Sequence, residues 1–292
     1  MKKRAVYSIY IDVPEKEHYA NASDMLLNKN DIKVKKTRDN FIAHYQKLLN
    51  NKKAYCDSIG VPFFFYENDN EYKDYLKMFL FTYPEITGYE VVNFYKIKKL
   101  YDLSKEYDEI LYLDFDAIPT TSLNFFDVWD LTKGICVYKN DDQIRNHKPL
   151  HLLRQTTRSP TAKYYNAQAM LIESNRSPDN NVINTGIIGA SKYHLEKLDY
   201  FKNFKETLSL MTKLRYDENS MYPKNIRDIF RYDNETIFSY KVKLNNVNIQ
   251  WLDNEWHYFF NNQYYIPKET KIVHTINKDF DQVWSFCEKH NL

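Results

Sequence analysis

Two aspartates separated by one residue, Asp114 and Asp116, close an unbroken apolar run, Glu109-Ile110-Leu111-Tyr112-Leu113. In an extended strand, side chains at i and i+2 share a face, so the two carboxylates can converge. Converging carboxylates repel, and burial raises that cost unless a cation compensates. A divalent metal does so, and oxygen ligands suit magnesium or manganese. Such a metal can bridge to a diphosphate and neutralise a departing nucleotide. The pair also falls at the carboxyl end of a strand, where open α/β sheets bind their ligands. The Asp-x-Asp pattern is short and common by itself; its position after a buried strand near mid-chain gives it weight.

The elements that must position this pair are legible from the hydrophobic pattern. Val6–Ile11 alternates and is followed by Val13-Pro14, which predicts a first strand. Residues 15–36 are polar and predict an irregular excursion. From Asp39, read as an N-cap, the residues Phe41, Tyr45, Leu48, Leu49, Lys52 and Tyr55 follow helical spacing up to Gly60. Val61–Tyr66 predicts a second strand, Tyr89–Lys105 a second helix, and Glu109–Leu113 a buried parallel strand. Further strands are expected at Gly134–Tyr138 and Val182–Ala190, with helices at Lys163–Ile172 and Leu195–Leu214. Strand–helix–strand order predicts an α/β fold with a Rossmann-like, mostly parallel central sheet and flanking helices. No repeat or Gly/Ser linker divides the chain. The expectation is one domain over 1–292: a nucleotide-binding half at 1–138, an acceptor or insertion segment at 139–181, and the rest of a catalytic domain at 182–292.

The run from Tyr107 to Asp116 resembles the Asp-x-Asp region of GT-A-fold glycosyltransferases, especially the glycogenin-like retaining enzymes of glycosyltransferase family 8 type. Three further features are similar and occur in the family's order. Lys96, eighteen residues before Asp114, resembles the basic residue that reaches the nucleotide-sugar. Asn184-Thr185-Gly186 resembles the Asn-x-Gly segment lining the donor-sugar pocket, and His274 the histidine that completes metal coordination. The family's histidine opens a run with a glycine and a lysine that hold the diphosphate. Here glycine is absent, and Lys278 lies four rather than six positions after His274. Arg231-Tyr232-Asp233-Asn234-Glu235 resembles an acidic segment approaching donor sugar or acceptor, with Asp233 the chosen residue. An N-terminal turn whose acids favour the helix dipole explains that segment equally well. Asn184 as a turn residue, and Gly186 and Gly189 as close-packing positions, are open alternatives. Trp251 and Trp256 read as core rather than sugar platforms.

The resemblance implies a sugar transferred from a nucleoside diphosphate donor, UDP-linked, to a hydroxyl on a glycan, a lipid-linked glycan or a protein, with retention of configuration. Asp114, Asp116 and His274 would ligate manganese or magnesium. Tyr10 and Asp12, at the end of the first strand, would cradle the base, and Lys96 and Lys278 the diphosphate. Asn184 and Asp233 would act near the sugar. The polar tract 139–181, with Arg145, His147, Arg154, Arg158 and Tyr164, would form an acceptor site or lid. Two rivals remain: a haloacid-dehalogenase-like phosphatase using the same acidic pair as nucleophile and acid/base, and a non-catalytic carbohydrate-binding protein. A net charge of +2 from 41 basic and 39 acidic residues gives no basic field for nucleic acid. With five glycines, no phosphate loop of the G-x-G-x-x-G or G-x-x-x-x-G-K-[ST] type exists. Three dispersed cysteines and the lack of a signal-like or ~20-residue apolar stretch predict a cytoplasmic chain without disulfides or a transmembrane segment.

Overall fold

A computed structural model describes residues 2–14, 27–140, 160–178, 181–228, 230–261 and 265–290. A six-stranded sheet runs through the centre in the order β2-β1-β3-β6-β5-β7. Its strands are β1 (Arg4–Ile9), β2 (Phe63–Tyr66), β3 (Glu109–Leu113), β5 (Ile135–Lys139), β6 (Ile183–Ser191) and β7 (Ile249–Leu252). β1 pairs in parallel with both β2 and β3, and β5 with β7. Only β6 runs against the others, pairing antiparallel with β3 and β5. Every residue of β3 is buried, which explains the apolar run Ile110–Leu113; Glu109 is buried in a pair with Arg4.

A second, three-stranded sheet carries the other half of the site. It joins β4 (Ala117–Pro119), β9 (Ile272–Thr275) and β8 (Tyr258–Phe260) in the order β4-β9-β8. β4 and β9 are antiparallel with Ala117 opposite His274, and β8 and β9 are parallel with Phe259 opposite His274. The acidic pair therefore lies where the chain leaves the large sheet and enters the small one.

The helices that matter to the site are α1 (Leu27–Ile59), α3 (Gly88–Leu103), α5 (Pro160–Glu173) and α9 (Asn234–Leu244). Between them in sequence run α2 (Asn70–Thr82), α4 (Phe125–Val128), α6 (Lys192–Leu198), α7 (Phe204–Tyr216) and α8 (Lys224–Arg227); α10 (Phe280–His290) follows β9. The N-terminus of α3 is closed by a capping box in which the Thr87 hydroxyl accepts from the Glu90 N–H and the Glu90 carboxylate from the Thr87 N–H. α9 is capped by Asp233, whose carboxylate accepts from the Glu235 and Thr236 amides.

Three expectations need correction. Residues 27–36 are helical, not an irregular excursion, and Asp39 lies inside α1 rather than at its cap. Hydrophobic periodicity reports burial, and the polar 27–36 stretch, with Lys35 and Lys36 exposed, shows no regular apolar stripe. The stripe becomes visible only where Leu48, Leu49, Lys52 and Tyr55 turn inward. The helix expected over Leu195–Leu214 is two, α6 and α7, separated by Asp199 (φ 44°) and Asn203 (φ 50°) in the left-handed region that Asp and Asn tolerate. α2 was unforeseen; Asp69 caps it by accepting from the Tyr72 N–H, and it buries only Tyr72 and Phe79. None of the helices among the described residues is long and apolar enough to cross a membrane.

Candidate metal centre

Asp114 and Asp116 do not converge by strand alternation. Leu113 ends β3, and the Ala117 N–H donates to the Asp114 carbonyl at 2.9 Å, closing a tight turn over 114–117. The Asp114 N–H donates to the Gly186 carbonyl of β6, and the Thr275 N–H of β9 to the Asp116 carbonyl. Both sheets thus clamp the turn. From behind, the fully buried Lys52 of α1 donates to the Phe115 carbonyl at 2.8 Å. Burial of that ammonium, opposed by the charges of Asp116 and Asp114, brings Lys52 down to about 7.

His274 completes the group. Its Nε2 lies 3.4 Å from Asp116 Oδ2 and 3.9 Å from Asp114 Oδ2. One ligand atom from each of the three residues lies within 4.8 Å of the other two, and among the described residues this is the one such cluster. The imidazole fits because β6 carries Gly186 beneath it. A Cβ there would lie 2.4 Å from His274 Cε1, so no side chain is tolerated while the ring stays. The His274 Nδ1 is 2.9 Å from Nε2 of a second, fully buried imidazole, His257.

The carboxylates are held by cations and a phenol. Lys278 is paired with Asp116 Oδ2. Lys96, buried on α3, lies 3.5 Å from Asp114 Oδ1 and donates to the Thr185 carbonyl at 3.1 Å. Tyr112 donates to Asp114 Oδ1 at 2.5 Å. Burial alone would raise Asp116; the charges of Lys278 and His274 outweigh it and hold the carboxyl well below the usual carboxylate range. Two ionised oxygens and an imidazole nitrogen, with a glycine cradle keeping the ring in place, are a donor set that fits manganese or magnesium.

The cluster borders a cleft of about 360 Å³. Tyr10, Asp12, Lys96, Asp114, Asp116, His274 and Lys278, all singled out from sequence, line it together. Tyr10 presents a ring set among Phe41, Tyr45 and Phe115, with centroids 4.9–5.7 Å away. Asp12 is held by a bidentate pair with Arg38, at 2.7 and 2.6 Å. Arg38, Tyr89 and Asn93 also line the cleft and were not singled out. Arg38 falls between the excursion expected over 15–36 and the helix expected from Asp39, whereas it lies within α1.

Neither Asn184 nor Asp233 lines the cleft; Asn184 adjoins Thr185, whose carbonyl accepts from Lys96. The Asn184 amide nitrogen donates to Glu235 Oε1 at 3.0 Å, and its oxygen accepts from the Gly186 N–H at 2.9 Å. Asp233 caps α9 and lies 3.6 Å from Lys163. The acidic residue that organises this region is Glu235. It is buried, accepts from the Thr185 N–H at 2.8 Å, and pairs with Lys163 of α5. Burial would raise Glu235, but Lys163 and Lys96 draw its carboxyl below the usual value. Lys163 is raised: burial lowers it, and Asp233 and Glu235 outweigh that. An acid two residues after an N-cap, inside the first turn, offered a signal for Glu235. Trp256 is core, packed edge-on against Phe125, whereas Trp251 is half-buried on β7. Arg145, His147, Arg154 and Arg158 lie outside the described residues, and Tyr164 is half-buried on α5.

No protein-family model and no curated protein matches the sequence. Solved structures similar to this chain include a glycosyltransferase involved in the glycosylation of the major capsid of PBCV-1, at TM-score 0.41 and 12% identity over 98% of this chain and 99% of that one. Mouse xyloside xylosyltransferase 1, in its apo form, matches at TM-score 0.44 and 13% identity over 94% and 98% of the two chains. The galactosyltransferase LgtC, in complex with donor and acceptor sugar analogs, matches at TM-score 0.41 and 10% identity over 93% and 87%.

Proposed function

We propose that this chain is a metal-dependent glycosyltransferase of GT-A type, moving a sugar from a nucleoside diphosphate donor to a hydroxyl acceptor. The observation that carries the reading is the convergence of Asp114, Asp116 and His274 at the wall of a cleft that Lys96 and Lys278 also line. A bound manganese or magnesium ion would neutralise charge developing on the departing diphosphate, the electrostatic contribution that dominates such transfers.

The chain's own residues supply the rest. Lys278 pairs with Asp116 and would turn to a phosphate where a cation takes over that carboxylate. Lys96 is fixed between Asp114 and the Thr185 carbonyl, which aims its charge into the cleft. Tyr10 offers an aromatic face to a base, and the Arg38–Asp12 pair borders the same end of the cleft. Asn184, tied to Glu235 and to the Gly186 N–H, stands behind the cleft beside His274 and would support the Gly186 cradle, with any contact to a sugar hydroxyl left to its second amide hydrogen. Asp233 acts in this account by capping α9 and holding Lys163, and so orienting Glu235. The donor is read as UDP-linked and the transfer as retaining.

A thermal-shift screen of nucleotide-sugars with and without manganese tests the reading. Stabilisation by one donor, dependent on metal, is expected, since a ligand that binds only the folded state raises stability by mass action. Equal stabilisation without metal, or hydrolysis of simple phosphomonoesters, overturns it. Proton NMR of the first product checks retention, which an inverted anomer contradicts.

A further inference from the structure

Beyond the three candidate ligands, a second histidine is built into this centre. His257 is fully buried, and its Nε2 lies 2.9 Å from His274 Nδ1. We infer that His257 is a positioning residue that, with a cation bound, accepts from His274 Nδ1 and so holds the tautomer whose Nε2 carries a free lone pair; the inference rests on the metal reading above.

The His274 ring has little freedom to reorient. It sits against Phe259, its register partner on β8, with ring centroids 5.2 Å apart, and over Gly186, where not even a methyl group fits. Only its hydrogen bonds can therefore decide which nitrogen is free. Exactly one proton occupies the bond between the two imidazoles, and its placement has opposite consequences. If a neutral His274 donates from Nδ1, Nε2 faces Asp116 and Asp114 as a lone pair, which is the ligating form. If His257 Nε2 donates instead, a neutral His274 carries its proton on Nε2, gives it to Asp116, and is blocked as a ligand.

His257 can accept through Nε2 because its ring is held in place. It packs on Tyr138 and Phe259, with centroids 4.8 and 4.7 Å away. Its remaining nitrogen, Nδ1, is buried with no hydrogen-bond partner among the described residues. Placing the His257 proton there leaves a buried donor unsatisfied, a cost that a bound cation has to offset. The centre is thus balanced between two tautomer pairs, and the ligating pair is the one a cation selects. Metal-bound histidines commonly use a carboxylate or carbonyl as the outer partner. A neutral imidazole does the same work without a third negative charge beside Asp114 and Asp116.

The test compares wild type with His257→Phe, which removes the acceptor, and His257→Gln, which restores one as a carbonyl oxygen. Calorimetric titration with manganese chloride should show affinity falling about 10–100-fold in His257→Phe and largely recovering in His257→Gln. Nitrogen-15 NMR of wild-type protein saturated with magnesium chloride should show His274 protonated at Nδ1 and His257 unprotonated at Nε2. That measurement needs no variant to fold. Unchanged manganese affinity in His257→Phe, or a proton on His257 Nε2 in the magnesium-loaded protein, overturns the inference alone. A wild type that binds no manganese overturns the metal centre and the inference with it.

Discussion

Asp116 is ionised in a place that burial alone would forbid, and two side chains account for it, Lys278 and His274. Asp116→Asn should weaken manganese binding by at least ~100-fold, more than the 10–100-fold typical of an outer-shell partner; calorimetry measures it. Gly186→Ala tests the cradle. Its methyl group would press on the His274 ring, so manganese affinity should fall at least about tenfold while overpacking costs ~1–3 kcal/mol in denaturant melts. Lys52 gives a pH prediction. Its folded value is about 7 against an ordinary 10.5, so between those values the unfolded chain binds more protons and stability rises with pH. Relative to Lys52→Met, metal-free wild type should gain up to ~1.4 kcal/mol per pH unit from about pH 7 towards pH 10, measured by denaturant titration. A difference independent of pH contradicts the burial of a charged Lys52.

The elements explain why some of this was legible and some not. β3 announced itself because a strand covered on both faces has no polar register, and the acidic pair follows it directly. The turn that brings the carboxylates together left no such mark, since Phe115 and Ala117 carry no turn signature. His274 was recognised by resemblance; that β9 holds it opposite both Ala117 and Phe259 depends on long-range pairing no local pattern encodes. Glu235 was passed over for Asp233 because charge alone does not separate a cap from a buried acid two residues later. α3 carries Lys96, and its capping box sets where the helix starts. Thr87→Ala should cost about 1 kcal/mol of stability and leave manganese affinity unchanged. Glu235→Gln, which keeps the shape but discharges the partner of Lys163, should cost ~2–4 kcal/mol in denaturant melts.

At the scale of the whole molecule, the central sheet brings the ends of β1 and β3 to one edge of a cleft, and the small sheet carries His274 to the same place. The α/β class and the mostly parallel sheet followed from the order of apolar runs. The antiparallel β6 and the second sheet did not, because strand direction and sheet membership are set by packing between distant segments. Seven residues chosen from sequence meet at that cleft, which is the basis for proposing a nucleotide site centred on a cation. Titrating UDP into the protein by calorimetry, with manganese and then with a chelator, tests that claim most directly. Binding that requires manganese and disappears in Asp116→Asn is the predicted result. UDP binding of equal strength in the chelator, or in Asp116→Asn with manganese present, would contradict it.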